Sequence, residues 1–261
     1  METKSPIFKT TVAAGKTPGA VRACELLLRK FLSEELVSGQ PLREAELAAE
    51  FNVNHPAVRE ALNQAVGWGV VEYAPYRGHR IRNFTLGDLR DWYELREGVE
   101  PIAARNLAEN GSLKELRHLD ELVAAESAAL KRGDIEALIR CDREFHLALI
   151  NGSGNQRFKS PGTLCFFSVV FNLDLRARSA DEYRSCGGRG ESGEVVSPAE
   201  FYLEKSRRPL DFKLELCRIL RRGDGEAAET HTRAFVRWAL EEVKKQIALH
   251  GGTEVPLSRL G

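Results

Sequence analysis

No charge of one sign dominates this 261-residue chain: 38 Lys and Arg are matched by 38 Asp and Glu. Without a global field, any nucleic-acid site has to come from a local arrangement of charge. Cysteine is sparse. Its five positions, 24, 141, 165, 186 and 217, are scattered, odd in number and never spaced Cys-x-x-Cys. That pattern argues against a disulfide framework and a structural zinc site, and suits a reducing cytoplasm. Long apolar runs are missing too, since the longest, Leu164 to Phe171, is far short of the ~20 residues that span a bilayer. The opening METKSPIFKTTVAAGKTPG holds no continuous apolar core such as a secretory signal needs. What remains, 43% apolar and 29% charged, is the composition of a soluble intracellular protein long enough for two domains.

Residues 1–19 are polar and punctuated by Pro6, Pro18 and glycines, which reads as a mobile arm. From Ala20, the residues Val21, Cys24, Leu27, Leu28, Phe31 and Leu32 recur at helical spacing, and Gly39 is the expected stop. A short helix over 44–51, a turn at Asn52-Val53-Asn54 and a third helix to about Val66 follow. Two strand-like runs, 70–73 and 79–82, flank Pro75-Tyr76-Arg77-Gly78 and predict a β-hairpin. Helix, helix–turn–helix and hairpin make a winged helix–turn–helix over 20–84. Thr85-Leu86-Gly87-Asp88 then spells a capping box and marks a boundary near 84. Beyond it the pattern is helical over 89–109, 112–132, 135–150, 164–177, 197–207, 210–222 and 225–249. A polar, glycine-rich loop separates 178 from 196, and 251–261 read as a frayed tail. The fold class is therefore mainly α: a winged helix–turn–helix with a small β wing, then an all-α antiparallel bundle over 85–250.

The stretch EFNVNHPAVREAL, residues 50–62, carries the first chemistry. Asn54 stands where a helix N-cap is wanted, and Pro56 falls in the first turn, where a missing N–H does no harm. Ala57 is small enough for close approach to another surface. Val58, Leu62 and Val66 are expected to face inward, leaving His55 and Arg59 together on the outer side. Donors on an exposed helix start, backed by the positive end of the helix dipole, suit a DNA major groove. Arg77, Arg80 and Arg82 face no acidic residue within 73–84, so the wing can reach a neighbouring groove or backbone.

The run PLREAELAAEFNVNHPAVREALNQAVGWGVVEYAPYRGHRIR resembles the winged-helix domain of the GntR family of bacterial transcription regulators. The bundle that follows resembles the FCD effector domain of the FadR branch. The likeness covers roughly 20–158 and 208–245. It implies that the DNA-binding set is Asn54, His55, Pro56, Ala57 and Arg59 with Arg77, Gly78, His79 and Arg80 in the wing. Arg59 is expected on phosphate or guanine, while His55 takes a position usually held by arginine. A histidine is a shorter, weaker reader than a bidentate guanidinium, which implies a different operator.

CDREFHLALINGSGN, from 141, places Asp142 and His146 four apart on one helix face. That spacing suits half of a divalent-metal site, or a histidine bonded to a carboxylate inside the bundle. The resemblance implies a metal (zinc, nickel or manganese) held by this pair and two later histidines. Aligned on the Arg-Arg-Gly-Asp turn at 221–224, those positions hold Lys213 and Phe235, neither of them a ligand. Either Lys213 supplies the positive charge to Asp142 or to an anionic ligand, or His231 is recruited as a third ligand; the first is preferred. Arg96 lies on the apolar stripe Leu89, Trp92, Val99, Ala103, where a charge needs a partner. Glu100, four residues on, is one candidate and an effector carboxylate the other. Pro101 is expected to kink this helix. Together these residues predict a homodimeric repressor of double-stranded DNA, released by a small organic acid bound near Arg96, Asp142, His146, Lys213, His231 and Phe235. The rival readings are a metal-dependent or acid/base enzyme using Asp142 and His146, and a DNA-binding protein without effector.

Overall fold

The computed structural model of the chain describes residues 17–32, 38–158 and 182–259. The arm expected over 1–19, apart from 17–19, and the helix expected over 164–177 lie outside them. Two compact units result, the first ending at Asn83 and the second beginning at Phe84.

In the first unit, α1 (Pro18–Leu32) buries Ala23, Cys24, Leu27, Leu28 and Phe31 against α3 (His55–Gly67). Leu27, Leu28 and Phe31 each contribute roughly 1.5–3 kcal/mol when fully removed from water. The short α2 (Glu44–Phe51) ends at Asn52, whose left-handed backbone (φ +52°) lets the chain turn at once into α3. α3 contributes Ala57, Val58, Ala61, Leu62 and Ala65 to the core; Val66, expected inside, is 36% exposed. The expected hairpin forms from β2 (Val71–Ala74) and β3 (Gly78–Ile81), in register Val71 with Ile81 and Ala74 with Gly78. A two-residue strand, β1 (Pro41–Leu42), pairs on the other edge of β3 and makes a three-stranded antiparallel sheet. Gly39 therefore serves this sheet: with φ +78° it turns the chain into β1 and donates its N–H to the Ile81 carbonyl.

The second unit is helical: α4 (Leu86–Asn110), α5 (Leu113–Arg132), α6 (Ile135–Gly152), α7 (Pro198–Lys205), α8 (Arg207–Arg221) and α9 (Gly225–His250). Sequence-local caps start five of these six helices: full capping boxes at Thr85/Asp88, Ser112/Glu115 and Ser197/Glu200, and Asp side chains at 134 and 224. α4 packs along α9 and α5 against α6, while α8 touches α4, α5 and α9. Leu107, Leu119, Phe145, Leu149, Leu216 and Leu220 interlock at the centre. Among the described residues no helix is long and apolar enough to cross a membrane.

α4 continues through Pro101. A proline cannot donate an N–H to the carbonyl four residues back, which strands the Glu97 oxygen. Arg233 of α9 donates to that carbonyl at 3.2 Å, and Arg237 holds the Glu97 carboxylate at 2.6 Å. The tail corrects an expectation. Residues beyond 250 do not fray before 259: Gly87 and Leu86 donate to the carbonyls of Thr253 and Val255, Leu257 donates to Phe84, and its side chain is buried. Within 182–196, read as a loop, Arg189 and Val195 form an antiparallel bridge.

Candidate nucleic-acid interface and buried charge cluster

The first turn of α3 begins with exposed residues on a helix whose inner face is buried. Asn54 Oδ1 accepts the Ala57 N–H at 2.9 Å and so caps it, while His55, Pro56 and Arg59 face solvent. Ala57 itself is buried; its Cβ lies 3.6 Å from where a Cβ on Gly19 of α1 would stand. The smallness of Ala57 thus serves helix–helix packing inside the unit, not approach to an external surface. Arg59 is held by Glu44 of α2 through two nitrogens, Nη2 at 2.8 Å and Nε at 3.1 Å. The hydrogen bond from Arg59 keeps the Glu44 carboxyl below its ordinary range. Both side chains are partly hydrated, so the pair is worth little in stability; it fixes where the guanidinium sits.

The wing is less free than its composition suggests. Arg80, read as facing no acid, pairs across the hairpin with Glu72 at 2.6 Å, its register partner. Arg82 donates to the Gly69 carbonyl at 3.3 Å. His79 is buried, 3.2 Å from Asn63 Oδ1, and burial pushes its imidazole below the usual value, so it stands inside the unit as a neutral ring. The tip keeps Tyr76 and Arg77 exposed, with Gly78 at φ +73°. Tyr76 also has positive φ (+64°), a strained setting for an aromatic residue, and was not singled out from the sequence.

In the second unit six ionisable side chains meet, five of them buried and Asp142 nearly so: Arg96 and Glu100 on α4, Glu126 on α5, Asp142 and His146 on α6, and Lys213 on α8. Arg96 Nε lies 2.5 Å from Glu100 Oε1, and Glu100 Oε2 lies 3.0 Å from His146 Nδ1. His146 Nε2 is 3.6 Å from Asp142 Oδ1. Lys213 Nζ bonds both Glu126 oxygens, at 2.6 and 2.7 Å, and ion-pairs with Asp142. Burial works against every charge here, and the neighbours decide the outcome. Arg96 and His146 overcome it and hold Glu100 at about 2. Lys213 and His146 hold Asp142 lower still, while burial and the Asp142 charge raise Glu126. At His146 burial is the largest single influence and lowers it, but Glu100 and Asp142 together lift the imidazole. Three carboxylates thus face two permanent cations and a histidine biased towards protonation.

Of the two partners expected for Arg96, the structure supplies Glu100. Of the two expected roles for Lys213, it supplies the pairing with Asp142. His231 is not drawn to the pair: its Nε2 lies 3.1 Å from the Phe212 carbonyl and its ring stacks on Phe212. Phe235 stacks on the same ring at 3.9 Å. The residues do not fit a metal. No group of three or more His, Cys, Asp or Glu is placed to hold one among the described residues. A divalent ion about 4 Å from the Lys213 ammonium would meet a repulsion of roughly 8 kcal/mol at an effective dielectric of about 20. Glu126, absent from the sequence reading, had a signal: it shares the stripe Leu119, Leu122, Val123, Ala129 and is the one charge on it.

The fold and these two places define a winged-helix DNA-binding module joined to a helical second domain. The family model for bacterial regulatory proteins of the gntR family matches residues 20–81, and that for the FCD domain matches 91–164. The chain belongs to the gntR family, in the branch that carries an FCD domain. It is 26% identical over 220 residues to the HTH-type transcriptional repressor RspR of Escherichia coli K12, across 84% of this chain and 86% of that protein. It is also 26% identical over 153 residues to the probable D-xylose utilization operon transcriptional repressor of Paenarthrobacter nicotinovorans, across 59% and 64%. The solved structure of E. coli McbR/YncC shares the fold, with a TM-score of 0.65 at 19% identity over 88% of this chain and 99% of that one.

Proposed function

We propose that this regulator is a repressor that reads an operator with the first turn of α3 and is released by a small organic acid bound to its helical domain. The observation that carries the reading is the division of α3: one face is core, while its capped start presents His55, Pro56 and Arg59 outward. On DNA, Arg59 exchanges the Glu44 carboxylate for a phosphate or a guanine edge, and His55 reads beside it. Arg77 and Tyr76 at the wing tip supply the second contact, with Gly78 shaping the turn. Ala57 and His79, being buried, and Arg80, paired with Glu72, drop out of the contact set. Repression follows the two relatives that bear that name.

An acid taken up by the helical domain has to share Arg96 with Glu100, since that guanidinium is already matched. A homodimer suits an operator with two half-sites. Leu95 and Ile102, seven apart on α4 and 46% and 40% exposed, give apolar area for such pairing. The test is selection of genomic fragments by the full chain, followed by gel shifts with and without a panel of small carboxylates. Arg59→Ala is expected to weaken the selected site by about 1–3 kcal/mol, or to lower the salt slope by about one if the contact is to phosphate. A folded, full-length sample with no preference for any fragment over random duplex sinks the proposal.

A further inference from the structure

The Lys213 ammonium sits where oxygens from two helices converge: both oxygens of Glu126 on α5 and Oδ1 of Asp142 on α6. Such convergence, with His146 beside Asp142, is what a divalent cation collects from its ligands. Here the point is filled from within the chain. We infer that Lys213 is a built-in cation that replaces a divalent metal at the centre of the helical domain, so that the fold and its DNA-binding state are independent of metal.

Three observations carry this. The Glu126 oxygens stand 2.6 and 2.7 Å from Nζ, the length of charge-assisted hydrogen bonds. Lys213 already occupies the point where Glu126 and Asp142 converge, and Arg96 already pairs with Glu100, so an added ion would need Lys213 expelled. His231, which could have completed a ligand set, is committed to the Phe212 carbonyl, and Phe235 offers no ligand atom and stacks on Phe212.

The experiment uses the full chain, treated with EDTA, exposed in turn to zinc, nickel and manganese, desalted and assayed for bound metal. The wild type is expected to retain below about 0.1 ion per chain and to keep its thermal midpoint within about 1 °C with or without chelator. DNA affinity should likewise be unchanged by EDTA. Lys213→His, which swaps the ammonium for a ligand, is expected to take up about one zinc per chain and to gain several degrees on adding it. Should that variant not fold, the wild-type chelator measurement decides by itself. Stoichiometric metal on the wild type that disappears in Asp142→Ala overturns the inference. So does a midpoint that drops by more than about 5 °C in EDTA, or a folded Lys213→His that binds no more zinc than the wild type.

Discussion

Replacing Glu100 by Gln keeps the side-chain shape and removes the one negative charge between Arg96 and His146. Glu100 is fully buried, 2.5 Å from Arg96 Nε and 3.0 Å from His146 Nδ1. Burial alone would lift its carboxyl, yet the two cationic neighbours hold it at about 2, against an ordinary 4.5. At ~1.4 kcal/mol per pH unit that gap corresponds to roughly 3 kcal/mol in favour of the charged, folded form. Breaking one side of a buried ion pair leads to the same range, ~3–5 kcal/mol, because Arg96 is left without its match. Since the folded value is depressed, the contribution is complete above 4.5 and disappears as pH falls towards about 2. Glutamine does not titrate, so wild type and Glu100→Gln should converge in acid. In a Trp68→Phe background the two remaining tryptophans, 92 and 238, both report on the second unit. Urea titrations followed by their fluorescence should show the midpoint of Glu100→Gln lowered by about 1–3 M at pH 7, for a slope of ~1–3 kcal/mol/M, with the difference shrinking steadily below pH 4.5. A loss under about 1 kcal/mol at pH 7, or a difference that ignores pH, would refute the assignment of Glu100 as an ionised bridge.

Two further outcomes concern the frame of the same unit. Arg233→Met strands the Glu97 carbonyl that Pro101 leaves open, and is expected to cost about 1–3 kcal/mol; in a Pro101→Ala background, where the helix supplies its own N–H, the cost should fall by about half or more, as a double-mutant cycle in urea would show. Leu257→Ala, cutting the buried anchor of the tail, is expected to lower stability by about 2 kcal/mol; a change within a few tenths, read by the same titration, would mean that the tail is only laid on the surface.

Most helix starts were legible because they are written locally. Thr85 with Asp88, Ser112 with Glu115 and Ser197 with Glu200 each satisfy two backbone donors within four residues, and no distant contact is needed to form them. What sequence could not supply was the partner across space. Arg80 looked unopposed because Glu72 precedes the hairpin window searched, and only the strand register brings them together. β1 carries no periodicity in two residues; it exists because Gln40 and Leu42 find the open edge of β3. Ala57 was correctly small, for a neighbour in its own unit. His79 was taken as a wing donor because alternation in four residues does not tell which face of a hairpin is covered. Most of the cluster was visible: Asp142 and His146 by their spacing, Lys213 at a position where the resemblance implies a ligand, and Arg96, with Glu100 four residues on, as a charge on an apolar stripe. Glu126 obeyed the same rule and closed the set.

Ionisable side chains gathered this closely constrain how descendants of this chain can change. Exchange of Lys213 for a neutral residue leaves Asp142 and Glu126 in mutual repulsion, so drift at that position requires a second change at one of its two partners in the same lineage, or nearly so. The helical domain can therefore explore new interiors only by paired steps, whereas His55, alone and outward, is open to single-step change of operator preference.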